Sequence, residues 1–264
     1  MEKLYRNLKK KADELSRRAY LETKRMLNEL SGMLATEEIG AKSYQWLEAH
    51  FQQQMNELQA KYTTLFAKNS SIMFEQGLKQ AYTDVRSSFH GIPVEVLGWY
   101  DTTFKTMQET ILRNYTADMM RTIKNTIMVG IVTGTPPDVL AKIIKKQIQP
   151  TAKRRITVLA RDQLSLAMQN GIYQGYKQHE DVIKAYQWVG PLDKRTTIWC
   201  ENRQLLTKEK PWTPKEVERY IEENPRTIKG KEIRASHGTF LHPHIQCRHR
   251  LVAITKSITA IVRE

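Results

Sequence analysis

Apolar residues recur at helical spacing through most of the chain and shift to a strand-like run only towards its C-terminal end. Leu4, Leu8, Leu15, Ala19, Met26 and Leu30 stand on one face at intervals of three, four and seven, with Lys and Arg on the others. The spacing predicts a helix over 3–31, stopped at Ser31-Gly32. A second helix is expected from Lys42 to about Lys68 on the stripe Trp46, Leu47, Phe51, Met55, Leu58, Tyr62 and Leu65. Ser70-Ser71 reads as the N-cap of a third, running to about Phe89 with Gly77 in its interior. After the turn His90-Gly91-Ile92-Pro93, residues 93–133 read as helix in one or two pieces, on Trp99, Phe104, Met107, Ile111, Tyr115, Met119, Ile123 and Ile127.

Prolines punctuate the chain beyond residue 133. Pro136-Pro137 forbids continuation, and Thr135 caps a short helix to Ile148 with Val139, Leu140, Ile143 and Ile144 turned inward. Gln149-Pro150 is expected to break the chain again, before a helix from Thr151 to about Gln178. Val182–Val189 is rich in β-formers and ends at Gly190-Pro191. Thr213-Pro214, with Glu216 three residues after the cap, opens a helix to about Glu223. Residues 229–238 read as a loop or hairpin, and 246–255 as a second strand able to pair with 182–189. The expected fold class is α+β: long α-helices over the N-terminal two-thirds, then a small C-terminal α+β module with a short antiparallel sheet. The expected division is a helical domain at 1–150 and the C-terminal module at 151–264.

Charge changes this picture. The 264 residues carry a formal net charge of +14, which attracts polyanions such as DNA or acidic protein surfaces. Lys153, Arg154 and Arg155 are the candidate DNA contacts. No apolar run is long enough to span a bilayer, and the charged start Met1-Glu2-Lys3-Leu4-Tyr5-Arg6 lacks the apolar core of a secretory signal, so synthesis in the cytoplasm and no membrane partner are expected.

The candidate chemistry is concentrated in residues 193–249. Both cysteines, Cys200 and Cys247, lie there, with His237, His242, His244 and His249. Cys200, His244, Cys247 and His249 form a chemically sensible Cys2His2 set for a structural Zn2+, although their spacing is not that of a zinc finger. Two buried apolar thiols among hydrogen-bonded histidines is the bland alternative, and a Cys200–Cys247 disulfide is another, disfavoured in a reducing cytoplasm. A Cys–His pair also raises covalent catalysis, but no nucleophile signature accompanies it, and the chain is expected not to be an enzyme. Asp193 is placed to bond nearby backbone or to pair with Arg195 or Arg248.

The order Asp193-x-Arg195-Thr196, Cys200, then His244-x-x-Cys247-Arg248 resembles the C-terminal domain of the phage minor head proteins, the head morphogenesis or Mu F-like family. That family's usual pattern is Asp-x-Arg-Thr, a nearby Cys and a final His-Pro-x-Cys-Arg-Cys. Ile245 stands where Pro is usual, and His249 where the last Cys is usual. Ala160-Arg161 and Asn170-Gly171 match an upstream run in which Asp162 and Gln163 replace Thr and Glu. The likeness covers about residues 151–255. It implies a non-enzymatic minor capsid protein at the portal vertex or head interior, present in the host cytoplasm during assembly. It would act in procapsid assembly or in genome packaging and delivery. The implied partners are the portal protein, capsid or scaffolding protein, and double-stranded DNA without sequence preference. The alternatives are a zinc-dependent hydrolase or nuclease built on the Cys/His cluster, and a free basic nucleic-acid-binding protein.

Overall fold

Each long helix is held by a stripe of buried side chains that outlasts the local breakers. The computed structural model describes residues 2–35, 44–236, 238–244 and 247–256. Helix α1 spans Glu2–Ala35 and passes through Ser31-Gly32, because one interior glycine costs only about 1 kcal/mol. Helix α2 spans Tyr44–Asp84. The expected start of the second helix at Lys42 lies outside the described residues. The expected cap at Ser70-Ser71 is absent: Ser70 is itself buried within the stripe Tyr62, Phe66, Ser70, Met73, Phe74, Leu78 and Ala81. Serine is a mediocre helix former but not a breaker, and the continuous stripe overrides it.

Helix α3 (Val94–Trp99) passes through a π-helical turn at Tyr100–Phe104 into α4 (Lys105–Val132), the two-piece alternative for this region. The Tyr100 and Phe104 rings stack at 5.3 Å across that turn. Beyond it the buried line runs through Phe104, Gln108, Leu112, Thr116, Met120, Ile123 and Ile127, so Met107, Ile111 and Tyr115 sit at its margin.

Helix α5 runs from Pro137 to Lys177 with Pro150 inside it. The expected break at Gln149-Pro150, and with it the boundary between residues 150 and 151, therefore falls within a helix. Pro150 faces solvent, where the carbonyl it leaves unbonded can be hydrated. Leu140, Ile144, Ile148, Ala152, Ile156, Ala160 and Leu164 stay buried at four-residue intervals across it. That same register leaves Val139 and Ile143 exposed rather than inward.

A 3-10 turn at Glu180–Val182 leads into β1, Ile183–Val189. Helix α6, Ile198–Glu209, was not anticipated from the apolar pattern. Helix α7, Pro214–Glu223, carries the expected capping box: Glu216 N–H donates to Thr213 Oγ1 at 3.2 Å, and Thr213 N–H donates to Glu216 Oε2 at 2.8 Å. Strands β2 (Thr227–Ile228) and β3 (Lys231–Glu232) form a hairpin whose turn residues, Lys229 and Gly230, both have positive φ. Strand β4, Arg250–Thr255, pairs antiparallel with β1, from Val189 opposite Arg250 to Ile183 opposite Thr255. It starts later than expected: Cys247, Arg248 and His249 are not strand, and Gln246 lies outside the described residues. The architecture is α+β, with long helices in the N-terminal part and a small antiparallel sheet towards the C-terminus.

The chain forms two compact units, each drawn from separated stretches. One contains Met1–Lys9, Ser70–Gly98 and Arg161–Glu264; the other contains Lys10–Asn69 and Trp99–Ala160. In the first unit, α2 and α5 approach at glycines. A Cβ on Gly171 would lie 2.1 Å from the Phe74 carbonyl oxygen, and one on Gly77 would lie 2.2 Å from that of Met168. A buried ion pair ties both helices to the sheet. Arg250 Nη1 donates to Asp84 Oδ2 at 2.6 Å, and Tyr176 OH donates to the same oxygen at 2.5 Å.

Candidate metal centre

The β1–β4 pairing sets the geometry of everything after it. Because Val189 faces Arg250, the chain leaving β1 and the chain entering β4 run side by side. His249 packs so tightly on Gly190 that a Cβ there would lie 2.4 Å from its ring. The next residues fold back on themselves. Asp193 N–H donates to Thr196 Oγ1 at 2.9 Å, Arg195 N–H to Asp193 Oδ1 at 2.9 Å, and Thr196 Oγ1 to the Pro191 carbonyl at 2.8 Å. The motif residues are thus used structurally, Asp193 and Thr196 to close the turn and Arg195 through its backbone. Arg248 then takes Asp193 in a two-pronged ion pair at 2.6 and 2.8 Å, whereas Arg195 is 3.9 Å away. Bonds from Arg248 and from the Arg195 amide hold the Asp193 carboxyl well below the usual range.

That turn delivers Cys200 into the first turn of α6, where the helix N-terminus favours a thiolate. Its sulfur lies 3.1 Å from His244 Nε2 and 3.5 Å from the Cys247 sulfur. A tetrahedral zinc site with ordinary bond lengths separates two sulfurs by about 3.8 Å and a sulfur from a nitrogen by about 3.6 Å. The two edges that meet at Cys200 are therefore each within about half an ångström of those of such a site. They form one group within 4.8 Å, with both cysteines buried and His244 partly so, and can hold a metal ion. The thiols are free rather than disulfide-bonded. Hydrogen bonds from Cys247, His244 and His249 outweigh burial and lower the pKa of Cys200; burial and the neighbouring Cys200 raise that of Cys247.

His249, expected as one of the four ligands, is buried but does not join the three-donor group. Its Nε2 is buried without a hydrogen-bond partner, as is that of His242. Burial and the nearby His244 lower the His242 pKa to about 4. The two unpartnered ring nitrogens are the candidates for a fourth position. His237 lies outside the described residues.

Supports around the donors come from residues that the sequence did not single out. Ser165 and Gln169 on α5 donate to the Cys247 and His249 carbonyls. Arg203, one turn after Cys200 on α6, is fully buried between the Trp188 and Phe240 rings, at 4.6 and 4.4 Å. It donates to the Ile233 carbonyl at 2.6 Å and the Phe240 carbonyl at 2.5 Å, and so anchors the histidine-rich loop. Burial lowers its pKa to about 10, while the two cysteines act to raise it. Among the described residues no carboxylate pairs with it. The signal available in the sequence was the i, i+3 spacing of Cys200 and Arg203, visible only once α6 is recognised.

Lys153, Arg154 and Arg155 are exposed on the α5 segment of the other unit and take no part in this centre. Lys153 lies 6.0 Å from the Tyr20 ring. Among the described residues, no helix is long and apolar enough to cross a membrane. Comparison with known proteins finds no matching family model, curated protein or solved structure.

Proposed function

We propose that this chain is a non-enzymatic minor head protein of a double-stranded DNA phage, its C-terminal unit closed by a structural zinc ion. The observation that carries this reading is convergence. The residues that resemble the head morphogenesis pattern, scattered from Asp193 to Arg248, meet as one ion-paired turn beside one three-donor cluster. Cys200, His244 and Cys247 would hold the zinc, with His249 or His242 completing a closed shell. Zinc in such a site supplies cross-linking of the fold rather than turnover.

Burial of Cys200 and Cys247 speaks against the hydrolase or nuclease alternative, which needs an open coordination position reached by substrate. The exposed Lys153, Arg154 and Arg155 fit phosphate contacts without sequence preference, inside a head or free. The proposed partners are the portal, capsid or scaffolding protein and packaged DNA, and the proposed location is the head interior or portal vertex.

The test is to purify procapsids and mature heads from cells making wild-type chain or Cys247→Ser and to look for the chain by mass spectrometry. Incorporation of wild type but not of the variant is expected. Absence of the wild-type chain from particles at every stage overturns the proposal.

A further inference from the structure

The tip where α4 meets α5 leaves an unusual amount of apolar surface uncovered. Val132 is 85% exposed, Val129 62%, Met128 54%, Val139 39% and Ile143 36%, all within one unit. Isolated exposed apolar residues are ordinary, but five large ones on two adjoining helix ends make a patch. The patch is concave. Val129, Gly130, Leu140 and Ile143 form the apolar part of the lining of a hollow of about 230 Å³ between the helices, large enough to admit an aliphatic side chain, with Asn125, Thr126, Thr135 and Gln147 as its polar part. A Cβ on Gly130 would lie 2.6 Å from the Leu140 side chain, so this glycine lets the helices close beneath the hollow.

Positive charge predominates around the tip. From 122 to 160 the sequence carries Lys124, Lys142, Lys145, Lys146, Lys153, Arg154 and Arg155 against a single acid, Asp138, while Arg121 is paired with Asp118 at 3.0 Å. Lys142 and Lys146, on the helix that bears Val139 and Ile143, are exposed. A second copy of the chain would bring like charge against like. DNA offers charge but no apolar ridge for the hollow. A hollow between two helices receives a side-chain knob better than it enters a bilayer.

We infer that the α4–α5 tip is a docking site for an acidic amphipathic helix of another protein. That helix would insert an aliphatic residue between Val129 and Ile143 and set flanking carboxylates against the lysines of α5. The inference stands apart from the head-protein proposal, since it concerns the other unit and does not depend on metal.

The probe is a labelled synthetic helix with Leu along one face and Glu on its flanks, titrated with the full chain at low salt. Saturable binding is expected, weakened about tenfold or more by Val129→Glu and by Ile143→Glu. Both residues are exposed, and an unchanged thermal melt establishes that the variants fold. Lys142→Glu/Lys146→Glu should weaken binding and reduce its salt dependence. No binding of the acidic helix, equal binding of a Lys-flanked version, or unchanged binding by both Glu variants overturns the inference. So does a patch that instead binds phosphatidylglycerol vesicles, or that mediates a dimer in sedimentation, with either lost in Val129→Glu.

Discussion

Arg248 holds Asp193 by two parallel hydrogen bonds, at 2.6 and 2.8 Å, across 55 residues of sequence. The pair joins the turn that precedes α6 to the segment that carries Cys247, so it fixes where two of the three metal donors enter the cluster. A planar guanidinium matches a carboxylate in a way that an ammonium cannot. Arg248→Lys is therefore expected to behave like Arg248→Ala rather than like wild type, with faster amide hydrogen exchange over 193–200 in both. The pH dependence follows from the lowered Asp193 pKa. Its contribution is present above the unfolded carboxylate value, about 4, and is lost as pH falls below that value. Exchange protection in this turn that is indifferent to pH between neutrality and about 3 would contradict the assignment.

Zinc is expected at about one equivalent per chain in protein purified without chelator, because a closed site retains its ion. Cys200→Ser and Cys247→Ser should each fall to roughly a tenth of that. Chelation should lower the melting temperature of wild type and leave that of Cys247→Ser unchanged. His249→Ala and His242→Ala identify the fourth ligand: the one that supplies it loses metal affinity by about 10-fold or more, and the other keeps it. Wild-type protein that melts identically with and without chelator would remove the structural role.

Much of this architecture was legible in the sequence, and the failures have physical causes. Long helices announce themselves because their buried residues repeat every three or four positions, as along α1. Local breakers mislead when the stripe continues past them, as at Ser70 and Pro150. Helix α6 was invisible because its inward positions are Cys200, Arg203, Leu206 and Thr207, only one of them plainly apolar. A buried arginine runs against the usual distribution of that residue, so no apolar pattern could reveal Arg203. The donors Cys200, His244 and Cys247 were legible from residue type alone. The place of His249 was not, because it depends on how β1 and β4 register at Gly190.

The Asp84–Arg250 pair, 166 residues apart, is equally silent in the sequence. The side chains are 14% and 5% exposed, so removing either leaves a buried charge. Asp84→Ala or Arg250→Ala is expected to cost about 3–5 kcal/mol in urea unfolding, and the double variant clearly less than the sum. Burial alone would raise the Asp84 pKa, but bonds from Arg250, Tyr176 and Gln80 leave it lowered. This stabilisation is therefore full above about pH 4 and lost as the carboxylate protonates below it. Additive single effects, or stability that rises on acidification through that range, would show that the pair does not act as described.

Gly171 provides the most direct check on how α2 and α5 pack. Alanine normally stabilises a helix interior over glycine by about 1 kcal/mol. At Gly171 and Gly77 the added methyl would meet a backbone oxygen of the facing helix, at 2.1 and 2.2 Å, and backbone yields less readily than a side-chain end. Overpacking of this kind costs about 1–3 kcal/mol, enough to reverse the sign. Gly32, exposed on α1 with nothing within 4 Å of its would-be Cβ, is the control. Gly171→Ala and Gly77→Ala should lower the urea midpoint, while Gly32→Ala should raise it or leave it unchanged. If all three moved the midpoint upward by similar amounts, α2 and α5 would have to lie further apart than their glycines place them.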